Sequence, residues 1–289
     1  MRQKKHVTYF QIVKRTVIEF LEEGSYFHGA ALSYYTLFAL IPLLYLSLIS
    51  FGSLFGQDRC IEIITELFQK NIGIDDIAVF TNYLKFMGRQ SNSWLLNVAM
   101  IFLLLYSCSA FMVSLKFSIN EFFNIQKRKR EKLNIFMDFI KFRFLSITYL
   151  AFFALIIFVS YFIQIFAFSF IENYFNNKHG SLNFGYIVFH HLLSIGMNFA
   201  IISIIFKFVH DGEIRLRLAF QGALLTAVLL YLSQIFIKIY LQEYFFLGKG
   251  DVIGTLFILM AWVYYSSQVI FFGAKFTYVL GKYRKDIPE

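Results

Sequence analysis

A chain of 289 residues that is 58% hydrophobic and only 16% charged lacks the polar side chains to cover a globule of its own size. That excludes an ordinary water-soluble domain, and apolar runs that are continuous rather than alternating exclude a membrane β-barrel. The net charge of +9 requires no nucleic acid, because Lys and Arg gather in the connections between those runs.

Residues 7–23 carry Phe10, Val13, Val17, Phe20 and Leu21 at helical spacing, opposite Lys14, Arg15 and Glu22. The pattern predicts an amphipathic helix lying along the membrane interface. From Gly29 to Gln57 no charge occurs, and a first span is expected over 30–55. An α-helix needs roughly 20 residues to cross about 30 Å of hydrocarbon, so the stretch suffices. Pro42 interrupts it and frees the carbonyl of Phe38. The kink this predicts, beside Ser33, Tyr34 and Tyr35, is either a hinge or cavity wall or ordinary helix curvature.

Residues 56–93 form the largest insert. Cys60, Ile63, Ile64, Leu67 and Phe68 make one apolar stripe, and Asn71-Ile72-Gly73 breaks it. Asp75 and Asp76 then supply capping oxygens for a second helix with Ile77, Phe80, Leu84 and Met87 inward. A helical hairpin on the outer leaflet follows, serving as a lid or as a packing cap. Further spans are expected at 94–115, 145–170, 186–206, 218–241 and 254–280. The fold expected is therefore an all-α polytopic membrane protein, one transmembrane domain over residues 1–289. It has six transmembrane helices, an N-terminal interfacial helix and an extracytoplasmic hairpin between spans 1 and 2.

Connections 1–29, 116–143, 207–217 and 281–289 together hold 19 Lys and Arg, whereas 56–93, 171–185 and 242–253 hold 6. Cytoplasmic loops carry the basic excess, so both termini are expected in the cytoplasm. The run Lys127-Arg128-Lys129-Arg130 is a candidate contact for anionic lipid headgroups or RNA, with a purely topogenic loop as the plainer reading. No cleavable signal is seen in residues 1–28, so the first span is expected to direct its own insertion. Two cysteines, Cys60 and Cys108, without a CxxC pattern, suggest neither a disulfide nor zinc or redox chemistry.

Polar side chains at membrane depth face protein or a cavity rather than lipid. Tyr264, Ser267, Gln268, Phe271 and Lys275 follow one face of the last span, and Tyr231, Gln234 and Lys238 follow one face of the fifth. Asn97, Tyr106 and Ser107 mark the second, and Ser194 and Asn198 line up with His190 or His191 in the fourth. These faces either converge on a hydrated substrate path or bond across helices, an interaction worth about 0.6 kcal/mol each. Lys238 and Lys275 can also snorkel towards headgroups. Small residues Gly29, Ala30, Ser33 and Ser107 to Ala110 permit close helix approach, and homo-oligomerisation stays open.

Several of these segments resemble the YihY/BrkB family of bacterial inner-membrane proteins, once labelled ribonuclease BN. The run from Ala30 to Leu43, with Ser33-Tyr34-Tyr35 and Pro42, resembles its opening motif. Leu105-Tyr106-Ser107 with Ser118-Ile119-Asn120 resembles the second span, and Gly222-Ala223 with Tyr240 the fifth. Trp262-Val263-Tyr264-Tyr265-Ser266-Ser267-Gln268, followed by Phe272-Gly273-Ala274 and Thr277, resembles the last. The chain departs from the family pattern at Lys275, where a Glu is usual, at Gly250-Asp251, and at His210-Asp211; no role of that Glu is carried over. The resemblance implies a bacterial inner-membrane location and a link to envelope lipid or lipopolysaccharide export, serum resistance or ion antiport.

The leading expectation is a transporter or flippase-like protein for a lipid or other amphipathic envelope substrate, with membrane lipids as partners. Its candidate path comprises Ser33, Tyr34, Tyr35, Pro42, Tyr106, Asn120, Gln234, Tyr240, Trp262, Tyr264, Ser267, Gln268 and Lys275. An ion or proton antiporter is the alternative, although intramembrane acids normally carry that chemistry and no Asp or Glu lies deep in a span. An enzyme, whether ribonuclease or lipid-modifying, is weaker still. No HExxH, GxSxG or P-loop occurs, and Glu19, Glu22, Glu121 and Asp138 are scattered. No catalytic residue, metal ligand or cofactor is expected.

Overall fold

A computed structural model describes residues 9–72, 78–89, 93–125, 148, 182–212, 214–243 and 252–284. Among these residues every regular element is an α-helix. The helices are α1 (Tyr9–Glu22), α2 (Ser25–Phe55), α3 (Gln57–Ile72) and α4 (Ala78–Arg89), then α5 (Trp94–Phe122), α6 (Leu182–Phe208), α7 (Leu216–Glu243) and α8 (Val252–Arg284). Five of them, α2, α5, α6, α7 and α8, are long and apolar enough to cross a membrane. The span expected at 145–170 and the basic run Lys127–Arg130 lie outside the described residues.

Residues group into two compact units. One comprises 1–23, 116–231 and 269–289, and the other 24–115 and 232–268. Helices α5, α7 and α8 contribute residues to both.

In the unit that holds α2, the 31-residue helix runs through Pro42 without ending there, because a single proline removes one hydrogen bond and leaves those on either side. At about 1.5 Å per residue it is some 46 Å long, more than a bilayer's hydrocarbon requires. Gly24, at φ 64°, precedes it in the left-handed region that a Cβ disfavours, so the chain turns between α1 and α2 without strain. Helices α3 and α4 pack on α2 and on each other. The core they share contains Tyr45, Leu48, Cys60, Ile61, Leu84, Ile237 and Ile258. The inward face of α3 thus runs through Cys60 and Ile61, with Ile64 half-buried and Ile63 exposed. That corrects the expected stripe: Ile61 takes the inward place given to Ile63, because α3 has two neighbours to cover rather than one. Leu84 of α4 is buried as expected. The residues linking the two helices, with Asp75, Asp76 and Ile77, lie outside the described residues, as do the side chains of Leu67, Phe68, Phe80 and Met87. Both Cys60 and Cys108 are free thiols.

In the other unit, α1 turns Ile12 and Thr16 inward and leaves Phe10, Val13, Val17 and Leu21 exposed. Its protein-facing side is therefore the row through positions 12, 16, 19 and 23, opposite the apolar stripe that its sequence displays. Phe20 lies between the two faces, its ring 5.7 Å from that of Phe122 and 5.6 Å from that of Phe272. Helix α5 extends past the expected boundary at 115 to Phe122, carrying Lys116, Asn120 and Glu121, because an interface tolerates charge on a continuing helix. Asn124 stops it at φ 52°. There the Ile125 N–H reaches Asn120 O at 2.8 Å and the Asn124 N–H reaches Glu121 O at 2.9 Å, a Schellman closure with Asn in the usual glycine place.

Helices α7 and α8 lock through two reciprocal contacts. A Cβ on Gly222 would overlap Thr277 Oγ1 and lie 2.8 Å from Thr277 Cβ. A Cβ on Gly273 would overlap Thr226 in the same way, 2.7 Å from its Cβ. Each threonine hydroxyl donates back to its own helix, Thr226 to Gly222 O and Thr277 to Gly273 O, both at 2.7 Å, so neither of these two hydroxyls is left unmet. Small residues let helix backbones approach where lipid supplies no hydrophobic force.

Candidate functional site

The last helix carries five of the candidate residues, more than any other, and the two units use it differently. In the unit with α2, Gln268 donates its Nε2 amide to Ser25 O at 3.0 Å. Gly29 lies beneath this contact: a Cβ there would overlap the Gln268 amide and sit 3.2 Å from the Tyr264 ring. Tyr264 and Gln268, one turn apart, thus close on the start of α2. Ser267 donates back to Val263 O at 2.7 Å, and Ser33 back to Gly29 O at 2.9 Å, which satisfies both hydroxyls within their own helices. Tyr34 is exposed and meets Tyr35 edge-on at 5.6 Å. Tyr106 and Tyr240 are exposed as well, and Gln234 is half-buried.

Four polar atoms of this unit remain buried with no hydrogen-bond partner among the described residues: Thr65 Oγ1 on α3, Ser107 Oγ on α5, and Trp262 Nε1 and Ser266 Oγ on α8. Trp262 and Ser266 are one turn apart, about 160° round the helix from Tyr264 and Gln268. Trp262 stands out in the sequence through its motif, whereas Ser266 does not. Nor does Tyr45. Its hydroxyl donates to Asn97 Oδ1 at 2.7 Å, which gives the lone Asn of the second span its partner. An Asn isolated in an apolar run is the signal that such a donor must exist.

The other unit gathers charge. Lys275, only 2% exposed, places its ammonium 3.3 Å from Glu19 Oε2 and against Glu23 Oε1. It stands 4.8 Å above the Tyr278 ring. Of the two readings open for Lys275, snorkelling does not fit this burial: two carboxylates one turn apart on α1 hold its head inside the protein. The side chain of Lys238 lies outside those described. Arg15 reaches Glu19 Oε1 at 2.6 Å and donates to the Tyr283 hydroxyl at 3.2 Å. These bonds, Tyr283 first, raise the Arg15 value further above its ordinary one. Burial pushes the Glu19 carboxyl up, but Arg15 and Lys275 together outweigh it and hold Glu19 below the usual range. Glu23 is pushed up by burial, with Lys275 alone opposing, and stays above the usual range. Its Oε2 is buried with no partner among the described residues.

Asn120, a candidate for the substrate path in the sequence, clamps the turn between α6 and α7. Its Nδ2 donates to Asp211 Oδ2 at 3.0 Å, its Oδ1 accepts from the Asp211 N–H at 2.9 Å, and Lys116 sits 2.6 Å from Asp211 Oδ1. Next to it His210 accepts from the Gly212 N–H at Nδ1, which leaves Nε2 to donate to Phe206 O at 2.7 Å. That is the neutral tautomer, and burial pushes the His210 value down accordingly. His191 of α6 bonds the hydroxyl of Tyr231 on α7. Among the described residues no three His, Cys, Asp or Glu side chains converge as metal ligands.

The family described as Virulence factor BrkB matches residues 16–288. A UPF0761 membrane protein of Aeromonas salmonicida (strain A449) is 31% identical over 108 residues, a stretch covering 36% of this chain and 36% of that protein. The aligned stretch thus spans about a third of the length of that curated relative. No solved structure matches the chain. The expected resemblance holds over nearly the whole sequence, and with its long apolar helices the chain is a membrane protein of the BrkB/YihY family.

Proposed function

We propose that this protein is an inner-membrane transporter or flippase-like protein that moves a lipid or other amphipathic envelope substrate, a lipopolysaccharide-type lipid included. Both termini lie in the cytoplasm, six spans cross the membrane, and α3 and α4 form an outer hairpin. Ser107 Oγ, Trp262 Nε1 and Ser266 Oγ carry the reading. An unmet N–H or O–H inside an apolar bundle costs about 1–3 kcal/mol, so such groups persist where water or a polar guest visits them. Trp262 packs against the core that holds Tyr45, Leu48 and Ile258, which suits a substrate with both a polar and a hydrocarbon part. Lys127–Arg130 is the proposed contact for anionic headgroups on the cytoplasmic side. The chemistry is movement rather than bond cleavage.

Purified protein in sealed vesicles, with fluorescent lipids of several headgroup classes and a membrane-impermeant quencher, tests the reading. Lipid exchange between leaflets above that of empty vesicles is expected, reduced by Ser266→Ala combined with Trp262→Phe. No movement for any class, lipid A-type molecules included, overturns it.

A further inference from the structure

Lys275 is shared by two carboxylates of one helix. Among the described residues, the charged groups that act on Glu23 are Lys275 from α8, Glu19 from α1 and Glu121 from α5, while Arg15 acts on Glu19. Tyr278 and Tyr283 are the neutral titratable groups beside them, and Lys282, exposed to solvent, lies 6.0 Å from the Tyr278 ring.

The two carboxylates that share Lys275 are not equivalent. Glu19 meets a cation at each oxygen, Arg15 at Oε1 and Lys275 at Oε2. Glu23 meets Lys275 at Oε1 only, and its buried Oε2 has no partner among the described residues. An ionised oxygen without a donor in a buried site is the costlier of the two to keep charged.

We propose that Glu19, Glu23 and Lys275 form a binding site for one proton, carried on Glu23 Oε2. A proton from water lands on Oε2 and no other bond forms or breaks. Oε1, now the carbonyl oxygen of a neutral acid, keeps accepting from Lys275, while Glu19 carries the charge that balances the ammonium. Because both glutamates belong to α1 and the lysine to α8, the proton also resets the electrostatic hold on α1, which passes from two ion pairs to one. The site is separate from the groups on which the transport reading rests, so either can fail alone.

Infrared difference spectroscopy of the full-length protein in lipid nanodiscs, titrated from mildly alkaline to mildly acidic pH, reads the carbonyl stretch of a protonated carboxyl directly. A band appearing above the pH at which a free carboxylate titrates is expected. It should disappear in Glu23→Gln, persist in Glu19→Gln with its midpoint moved to lower pH as Lys275 turns wholly to Glu23, and move to higher pH in Lys275→Met. No band in the wild type, a band that survives Glu23→Gln, or a midpoint unmoved in both other variants overturns the proposal. A band that responds to Na+ at constant pH rather than to protons overturns it too, and would make the ligand a metal cation. Should Glu23→Gln fail to fold, the opposite midpoint shifts of the other two variants still decide the matter.

Discussion

Two stretches of α8 solve the problem of polar groups in an apolar setting in opposite ways. Residues 269–284 are closed: Phe271, Ala274, Lys275, Thr277 and Val279 are buried, Lys275 has two carboxylates, and the threonine hydroxyl bonds its own helix. Residues 252–268 are more open. Phe257 and Tyr265 are exposed, and Trp262 Nε1 and Ser266 Oγ are buried without a partner among the described residues. Within one helix, then, tight packing goes with complete polar pairing, and looser packing goes with polar groups held in reserve. The first arrangement supplies stability, and on the transport reading the second would supply a place for something to bind.

The comparison breaks first at Lys275. Replacing it by Met strands Glu19 and Glu23, and breaking a buried ion pair from one side costs about 3–5 kcal/mol. Thermal unfolding in detergent should show the largest loss of any variant considered, partly restored when Glu23→Gln is added. Next comes the helix lock. Gly222→Ala or Gly273→Ala drives a methyl into a threonine whose Cβ cannot rotate away, and overpacking of this kind costs about 1–3 kcal/mol. Leu224→Ala, on an exposed position of the same helix, should change the transition far less.

Smaller effects depend on pH. Glu19 is held below the ordinary range, so it adds stability above its unfolded value, and that contribution is lost as pH falls through its folded value. The gap between wild type and Glu19→Gln in unfolding experiments should therefore be present at neutral pH and close on acidification. Glu23 has the opposite sign. Its raised value means that it favours the folded state at low pH and that this contribution is lost as pH rises through the folded value. The smallest effect on stability sharpens the comparison from the other side. Ser266→Ala removes a hydroxyl that leaves no partner behind, so unfolding should barely change while lipid movement falls.

Five of the expected spans were legible because hydrocarbon excludes charge, and an uncharged run of sufficient length is seldom anything but a membrane crossing. Their ends were not. Helix α5 continues seven positions past the expected 115, to Phe122, since Lys116 and Glu121 are welcome at an interface. Of the candidate path, the spacing placed Tyr264 and Gln268 on one face correctly, yet nothing local says that this face closes on Ser25 and Gly29. Lys275 is the clearest case. It looks like a snorkelling residue because its partners stand some 250 positions away in the chain, at Glu19 and Glu23, beyond the reach of any periodicity. Ser266 was equally invisible as a distinct group, being one of two adjacent serines with nothing in composition to tell the satisfied from the unsatisfied.

The interlocked Gly222–Thr277 and Gly273–Thr226 contacts have a mechanical consequence. Sliding α7 along α8 by one turn would bring Thr226 opposite either Thr277 or Val269, where backbones this close leave no room for two branched side chains. Piston-like travel between these two helices is thereby forbidden, and whatever working stroke the protein makes must carry their paired ends as a single rigid strut.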